Sequence, residues 1–243
     1  MYKKEIREFL ERKQYPEFNP KGVLFDMDGV LFDSMEAHAH SWVKVMTEKG
    51  FPFTEMEVYM NEGQTGAITI NKAFMEYRGR EATEEEKNHI YALKSRYFDE
   101  YNVLKPIKGT FSLLNKIKSA GLQVVVVTGS GQKSLFDNLD KFFPSIFDPD
   151  KIITAYDVKY GKPYPEPYLK GLAKTGLNPW EVIAVDNAPL GVKSASSAEL
   201  FTIGVNTGPL PVEVLAENGA NVVLDGMVDL DEKWNCFSKQ IYR

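Results

Sequence analysis

The stretch Gly22-Val-Leu-Phe-Asp-Met-Asp-Gly-Val30 decides the fold, because a short apolar run passes directly into two carboxylates. A run that is apolar on both faces is typical of a buried parallel strand. Comparable runs recur at 123–128, 151–154, 182–186, 201–205 and 221–224. Helix-period stretches separate the later runs, at 109–120, 132–142, 165–175, 188–198 and 211–218. This alternation predicts an α/β fold with a doubly wound, mostly parallel sheet.

The interval from Asp33 to Lys105 breaks this rhythm, because it shows helical patterning and no convincing strand. Ser34 can cap a helix that runs toward Lys49, and Thr83 with Glu86 fits a capping box. About 70 residues are too many for a loop. We therefore predict an all-helical cap, 35–104, inserted into an α/β core made of 21–34 and 105–243. Residues 1–20 are predicted to form a helical extension that ends at Pro16.

The composition is that of a globular protein, with 243 residues, 43% hydrophobic and 26% charged. A net charge of −5 gives no electrostatic basis for binding nucleic acid or an anionic membrane. The single cysteine, Cys236, cannot form an intrachain disulfide, which favours a reducing compartment. The N-terminus has no uninterrupted apolar segment. We expect a cytoplasmic protein that is a monomer or a weak dimer.

Polar side chains stand at the carboxyl ends of the predicted strands, where open α/β sheets bind their ligands. They are Asp26 and Asp28, Thr128 and Ser130, Lys162, and Asp186 with Asn187. Carboxylates placed this close together raise one another's pKa unless a cation lies among them. Oxygen ligands favour a hard divalent ion, and Mg²⁺ is usual where a phosphate completes the shell. The pattern predicts a site for a small phosphorylated compound.

These residues give the sequence its resemblance to the haloacid dehalogenase (HAD) superfamily. The resemblance runs in order through Asp26-Met-Asp28-Gly29-Val30, Thr128, Gly161-Lys-Pro-Tyr-Pro-Glu-Pro167 and Asp186-Asn187. It covers residues 22 to about 225, and the helical insert is similar to the cap of the β-phosphoglucomutase-like branch.

The resemblance implies a role for each residue. Asp26 would be the nucleophile that becomes an aspartyl phosphate, and Asp28 the general acid and base. Thr128, Ser130 and the Gly129 backbone N–H would hold the phosphoryl oxygens, while Lys162 would neutralise their charge. Mg²⁺ would be held by Asp26, the backbone carbonyl of Asp28, Asp186 and Asn187.

Other interpretations of these residues are weaker. Acidic residues at strand ends are often helix caps or solvated turns, but four motifs in order disfavour that explanation. An EF-hand loop fits poorly. Counted from Asp26 as the first position, Gly29 is at the fourth position, whereas an EF-hand loop has its glycine at the sixth. The superfamily's dehalogenases lack the second aspartate, so Asp28 disfavours dehalogenation. Asn187 departs from the family's usual aspartate, which predicts weaker metal binding or another carboxylate recruited to the metal.

The cap turn, Asn61-Glu-Gly-Gln-Thr-Gly-Ala-Ile-Thr-Ile70, bears on the substrate. Mutases of this branch have lysine and arginine here to hold a second sugar phosphate, but no Lys or Arg lies between Lys49 and Lys72. A phosphate would meet Glu62 instead, and a desolvated phosphate without a counter-charge is costly. The turn therefore disfavours a mutase.

Glu62 is either a solvated turn residue or a metal ligand that cap closure brings to the site. The second interpretation would leave a small pocket suited to phosphate as leaving group, and hence to inorganic pyrophosphate. The pattern is similar to pyrophosphatases of this branch. His38, Tyr91 and Lys94 are candidate substrate contacts. Tyr91 and Lys94 share one face of a helix, although a surface histidine, a packed tyrosine and a solvated lysine would also fit the sequence.

The leading hypothesis is a Mg²⁺-dependent phosphohydrolase that acts through a phospho-aspartate on a small phosphate compound, with pyrophosphate as the candidate. The first alternative is a β-phosphoglucomutase. The second is a catalytically silent HAD-like binding protein.

Overall fold

The short apolar runs form one parallel sheet in the computed structural model, which describes residues 2–101, 104–131 and 133–238. The strands are β1 (Gly22–Phe25), β2 (Gln123–Val127), β3 (Ile152–Ile153), β4 (Val182–Asp186), β5 (Phe201–Val205) and β6 (Val222–Leu224). Their order is β3-β2-β1-β4-β5-β6, and every pairing is parallel. The predicted α/β fold with a parallel sheet is confirmed.

Helices cover both faces of this sheet. The core helices are α1 (Lys3–Lys13), α6 (Thr110–Ser119), α7 (Lys133–Phe142), α8 (Glu166–Thr175), α9 (Pro189–Ser197), α10 (Val212–Glu217), α11 (Met227–Lys233) and α12 (Asn235–Ser238). Val23 and Phe25 pack in the same cluster as Leu113 of α6, whereas Leu24 packs with Tyr168 of α8. Alternate residues of β1 therefore serve opposite faces, as a doubly wound sheet requires. Gln132, where the predicted helix 132–142 begins, lies outside the described residues.

The N-terminal extension is part of the core packing. Helix α1 ends at Lys13, before the predicted end at Pro16. Its apolar side chains Ile6 and Phe9 are fully buried, and the Phe9 ring contacts Phe201 of β5 at a centroid distance of 5.3 Å. The extension therefore covers one face of the sheet, a role that the sequence did not indicate.

In the described part of the chain between β1 and α6, four helices form the cap: α2 (Met35–Glu48), α3 (Glu55–Met60), α4 (Gly66–Arg78) and α5 (Glu84–Tyr101). They share an apolar cluster of their own that includes Trp42, Phe51, Phe74 and Ile90. The two connections to the core lie side by side, since the Asp33 backbone N–H donates to the Lys105 carbonyl at 3.0 Å. The boundaries 35–104 stay a prediction.

The two predicted helix starts have different outcomes. The capping box at Thr83 and Glu86 is present, with Thr83 N to Glu86 Oε2 at 2.8 Å and Glu86 N to Thr83 Oγ1 at 3.2 Å. Ser34 is the N-cap residue of α2, as predicted, but its hydroxyl makes no capping hydrogen bond and donates to Asp28 Oδ1 instead. Among the described helices, none combines the length and apolar character needed to cross a membrane.

Candidate active site

Three predicted residues meet at the carboxyl end of the sheet. Asp26 follows β1, Asp186 ends β4, and Lys162 comes from the segment between β3 and α8. The Lys162 Nζ lies 2.6 Å from Asp26 Oδ1 and 2.8 Å from Asp186 Oδ2. All three side chains are buried, so the ammonium is a bridge between two desolvated carboxylates.

Burial and neighbouring charges shift the pKa values of Asp26 and Lys162. Burial raises the pKa of Asp26, Lys162 lowers it, and the neighbouring carboxylates of Asp186 and Asp28 raise it again, so that it stands above its usual range. Burial lowers the pKa of Lys162, but Asp186 and Asp26 outweigh burial and raise it above its usual range. Lys162 is therefore an ammonium, and a further cation would favour the ionised form of Asp26.

Asp28 belongs to a second group, which reaches into the cap. Its Oδ1 accepts from the Ser34 hydroxyl at 2.6 Å and lies 3.0 Å from His38 Nε2. On the other side of the imidazole ring, Lys94 Nζ lies 2.6 Å from His38 Nδ1. A continuous chain of polar contacts therefore joins the core loop, the first cap helix α2 and the long cap helix α5.

The pKa values in this group reflect its burial. Burial raises the pKa of Asp28, but His38, Ser34 and Lys94 together lower it below its usual range. Burial and the nearby Lys94 charge lower the pKa of His38. Burial also lowers the pKa of Lys94, to about 7. Asp28 is thus held as a carboxylate beside two groups that lose their protons easily.

The loop after β2 lies against the cap turn. Thr128 Oγ1 accepts from the Ser130 backbone N–H at 3.0 Å. Gly129 is pressed against the cap, because a Cβ added there would overlap the Gly63 carbonyl. The Tyr91 hydroxyl oxygen accepts from the Gly131 N–H at 3.2 Å, which joins α5 to this loop. The cap is therefore closed over the loop.

A small cavity of about 60 Å³ remains beneath the closed cap. It is lined by nine of the predicted site residues: Asp26, Asp28, His38, Glu62, Tyr91, Lys94, Thr128, Gly129 and Ser130. Since one water needs about 10–15 Å³, the cavity has room for only a few waters or a comparably small group. An open groove of about 720 Å³ near Asp33 and Thr207 contains none of the predicted site residues.

Glu62 lies in this cavity and is not a solvated turn residue. Its Oε1 is buried without a hydrogen-bond partner. Burial raises the pKa of Glu62 well above its usual value, and the charges of Asp26, Asp28 and Asp186 raise it further. An acceptor oxygen in such a position calls for a proton or a cation.

A divalent cation fits the oxygens of this region. The Asn187 Oδ1 is also buried without a hydrogen-bond partner. Within the residues that the structure describes, no three His, Cys, Asp or Glu side chains are grouped closely enough to hold a metal by themselves. The fit therefore depends on mixed donors, namely two core carboxylates, one amide oxygen and a backbone carbonyl, with Glu62 facing them from the cap.

Two contacts of this site were missed from the sequence. Ser34 was interpreted as a helix cap, and its bond to Asp28 has no local sequence signal. Tyr168, two residues into α8, donates its hydroxyl to Asp186 Oδ2 at 2.6 Å. It stands in an aromatic and proline-rich stretch, where a packed ring is the ordinary expectation.

Comparison with known proteins agrees with this geometry. The family model of haloacid dehalogenase-like hydrolases matches residues 23–205. Hexitol phosphatase A of Escherichia coli K12 is 30% identical over 207 residues, which cover 85% of this chain and 91% of that protein. A phosphorylated carbohydrates phosphatase of Thermotoga maritima is 29% identical, over 75% of this chain and 83% of its own length.

A solved structure is similar along nearly the whole chain. It is a Bacteroides vulgatus protein provisionally described as a β-phosphoglucomutase, 47% identical with a TM-score of 0.94. The match covers 97% of this chain and 96% of that one.

Proposed function

We propose that this chain, which belongs to the haloacid dehalogenase-like hydrolase family, is a Mg²⁺-dependent phosphatase that acts through an aspartyl phosphate on Asp26. We further propose that its substrate is inorganic pyrophosphate. The observation that carries the proposal is the small cavity of about 60 Å³ between core and cap, which is lined by Asp26 and Asp28 of the core and by Glu62, Tyr91 and Lys94 of the cap.

Asp26 supplies the nucleophile. Its carboxylate oxygen attacks the phosphorus, the bond from phosphorus to the leaving oxygen breaks, and an aspartyl phosphate forms. Water then attacks the phosphorus of this intermediate, so that phosphate leaves and the carboxylate is restored. Lys162, 2.6 Å from the nucleophile, neutralises charge on the phosphoryl oxygens in both steps.

Asp28 moves the protons. It gives one to the leaving oxygen in the first step and takes one from the attacking water in the second. Its lowered pKa suits the second step, in which it must be a carboxylate. In the first step a bound anionic substrate raises that pKa, because a nearby like charge favours the protonated form.

Mg²⁺ would be held by Asp26, Asp186, Asn187 and the backbone carbonyl of Asp28. When bound, the ion offsets the repulsion between Asp26 and the phosphoryl oxygens. Glu62 would add from the cap the negative charge that Asn187 lacks relative to an aspartate. Its unpartnered Oε1 and the unpartnered Asn187 Oδ1 support this assignment.

The cap side of the cavity suits phosphate as leaving group. Lys94 and His38 are the basic side chains that line it among the described residues, and they adjoin Asp28. Glu62 and Tyr91 restrict the remaining space. Phosphate is a small leaving group, whereas a sugar or polyol phosphate would bring a bulkier neutral group into a cavity of only about 60 Å³.

The second candidate substrate is a phosphorylated sugar or polyol. The names of the Escherichia coli and Thermotoga maritima relatives favour it. Such a substrate would require the cap turn to stand further from Gly129 than in this closed arrangement. A β-phosphoglucomutase, suggested by the Bacteroides vulgatus protein, would in addition need a cation for the distal phosphate.

A substrate panel tests the proposal. Phosphate release is measured with Mg²⁺ from pyrophosphate, a hexitol phosphate, glycerol 1-phosphate and β-glucose 1-phosphate, with the Asp26→Asn variant as background. We expect pyrophosphate to give the highest kcat/KM. Activity confined to the sugar and polyol phosphates would overturn the pyrophosphate assignment.

Two further results would replace the proposal altogether. Conversion of β-glucose 1-phosphate to the 6-phosphate, stimulated by the bisphosphate, would establish the mutase. No turnover of any compound by folded, Mg²⁺-loaded protein would favour the silent binding protein.

A further inference from the structure

Tyr168 of α8 packs against the sheet, and its hydroxyl contacts the candidate site. The side chain is fully buried against the strands, together with Leu24 and Ala184. Its hydroxyl does not reach a backbone group; it donates to Asp186 Oδ2 at 2.6 Å. A buried tyrosine needs a hydrogen-bond partner for its hydroxyl. Here the partner is a carboxylate at the end of β4, within the candidate site.

The Asp186 carboxylate is held on all sides by the chain. Its Oδ1 accepts from the Ala188 backbone N–H at 3.0 Å, and its Oδ2 accepts from both Lys162 and Tyr168. Gly191 of α9 lies against the same carboxylate, since a Cβ there would overlap both oxygens. The orientation of Asp186 therefore depends on donors from three different segments.

Tyr168 stays a neutral donor in this position. Its hydroxyl is buried and donates to the Asp186 carboxylate at 2.6 Å. The hydroxyl thus adds a hydrogen bond without adding charge, whereas Lys162 must be shared between Asp186 and Asp26. Removing the hydroxyl would leave Asp186 Oδ2 with one of its two donors, the lysine that the nucleophile also needs.

We infer that Tyr168 is a positioning residue for the metal site: its hydroxyl orients Asp186 so that the carboxylate is presented to Mg²⁺ and Lys162 remains beside Asp26. The inference rests on the proposed function for the identity of the metal. It adds a residue from outside the cavity, because Tyr168 does not line the space in which substrate would bind.

The test is a calorimetric titration of metal-free protein with Mg²⁺, without substrate. The Tyr168→Phe variant keeps the ring and removes only the hydroxyl. We expect its Kd for Mg²⁺ to be about tenfold higher than that of the wild type, since loss of an outer partner of a metal ligand costs about 10–100-fold. Tyr164→Phe is the matched control, because Tyr164 is exposed on the same segment, and its Kd should equal that of the wild type.

A double-mutant cycle with Asp186→Asn separates positioning from a general structural effect. If Tyr168 acts through Asp186, Tyr168→Phe should add nothing to the Kd in the Asp186→Asn background. The inference is overturned if folded Tyr168→Phe binds Mg²⁺ within about twofold of the wild type, or if the two changes are additive. A wild type that binds no Mg²⁺ would also overturn it.

Failure of the proposed function would give a different result. A wild type that binds Mg²⁺ but releases no phosphate from any compound in the panel would contradict the proposed phosphatase. The ratio of the two Kd values would still decide the role of Tyr168.

Discussion

The two halves of the site differ in how their charges are balanced. The core cluster, Asp26, Lys162, Asp186 and Tyr168, comes from the carboxyl ends of β1 and β4, the segment between β3 and α8, and α8 itself, and short hydrogen bonds join its members. The cap-facing cluster, Asp28, His38, Lys94 and Glu62, draws on a core loop, two cap helices and the cap turn. It contains an unpartnered carboxylate oxygen and a lysine whose pKa is lowered to about 7.

This difference indicates that the core cluster and the cap-facing cluster have separate roles. None of the members of the core cluster comes from the cap, although the cap turn at Gly63 lies against the Lys162 side chain. The cap-facing cluster exists only while the turn around Gly63 rests against Gly129. In the proposed mechanism, phosphoryl transfer to Asp26 uses the core cluster, whereas protonation and the fit of the leaving group depend on the closed cap, which also excludes water.

The largest effect is expected in the core cluster, from Asp26→Asn. The amide cannot act as the nucleophile, so the rate of phosphate release should fall at least about 10⁴-fold. The measurement is phosphate release by protein whose circular dichroism matches the wild type.

Asp137→Asn is the control for this change, because Asp137 is an exposed helical aspartate. Its activity should be unchanged. Retention of more than about a tenth of the wild-type rate by Asp26→Asn would show that catalysis does not pass through this carboxylate.

The next largest effect is expected for Lys94 in the cap-facing cluster, and it is a change in how the free energy of unfolding depends on pH. Burial lowers its pKa from 10.5 to about 7. Between these pH values the unfolded chain binds a proton that the folded chain does not, so this group makes the folded state more stable as pH rises. From about pH 7 to about pH 9.5, metal-free wild type should gain on the order of 3 kcal/mol relative to Lys94→Met.

Urea unfolding at the two pH values measures this difference. Lys174→Met changes an exposed lysine on α8 and should follow the wild type. Equal pH dependence in the wild type and Lys94→Met would mean that Lys94 keeps its ordinary proton affinity in the folded protein.

A third change, Glu62→Gln, tests whether the cap contributes to the metal site. Removing the charge should weaken Mg²⁺ binding by at least about tenfold, a loss comparable to that of an outer-shell partner. Titration calorimetry measures it, with the exposed cap residue Glu76 changed to Gln as control. If Glu62 is only a buried turn carboxylate, the variant will bind Mg²⁺ as the wild type does.

The smallest effect is expected from Asn187→Asp. The extra negative charge should tighten Mg²⁺ binding by several-fold, because the site gains a carboxylate ligand in place of an amide. The same titration measures it. An unchanged affinity would show that Asn187 is not a metal ligand.

The parts of the site that follow strands could be predicted from sequence. Buried parallel strands are short apolar runs, and the residues directly after them converge on one edge, so Asp26, Thr128 and Asp186 could be placed together. Lys162 was placed there because it lies on the loop after the third predicted strand, 151–154. The capping box at Thr83 and Glu86 was also predictable, since both of its contacts are local in sequence.

Contacts between distant segments could not be predicted. Ser34 has the local pattern of a helix cap, yet its hydroxyl bonds Asp28 because the turn after β1 brings that carboxylate within reach. The hydroxyl of Tyr168 and the covering role of α1 depend equally on tertiary packing. Glu62 was open to two interpretations, because only the closed cap shows how deeply its carboxylate is buried.

The most direct test of the account is to trap the covalent intermediate. Wild type is mixed with Mg²⁺ and its best substrate from the panel, quenched in acid within one turnover, digested and analysed by mass spectrometry. The account predicts the mass of one phosphoryl group on the peptide that contains Asp26, and no such mass in Asp26→Asn. Rapid turnover with that peptide unmodified, or with the phosphoryl group on another residue, would contradict it.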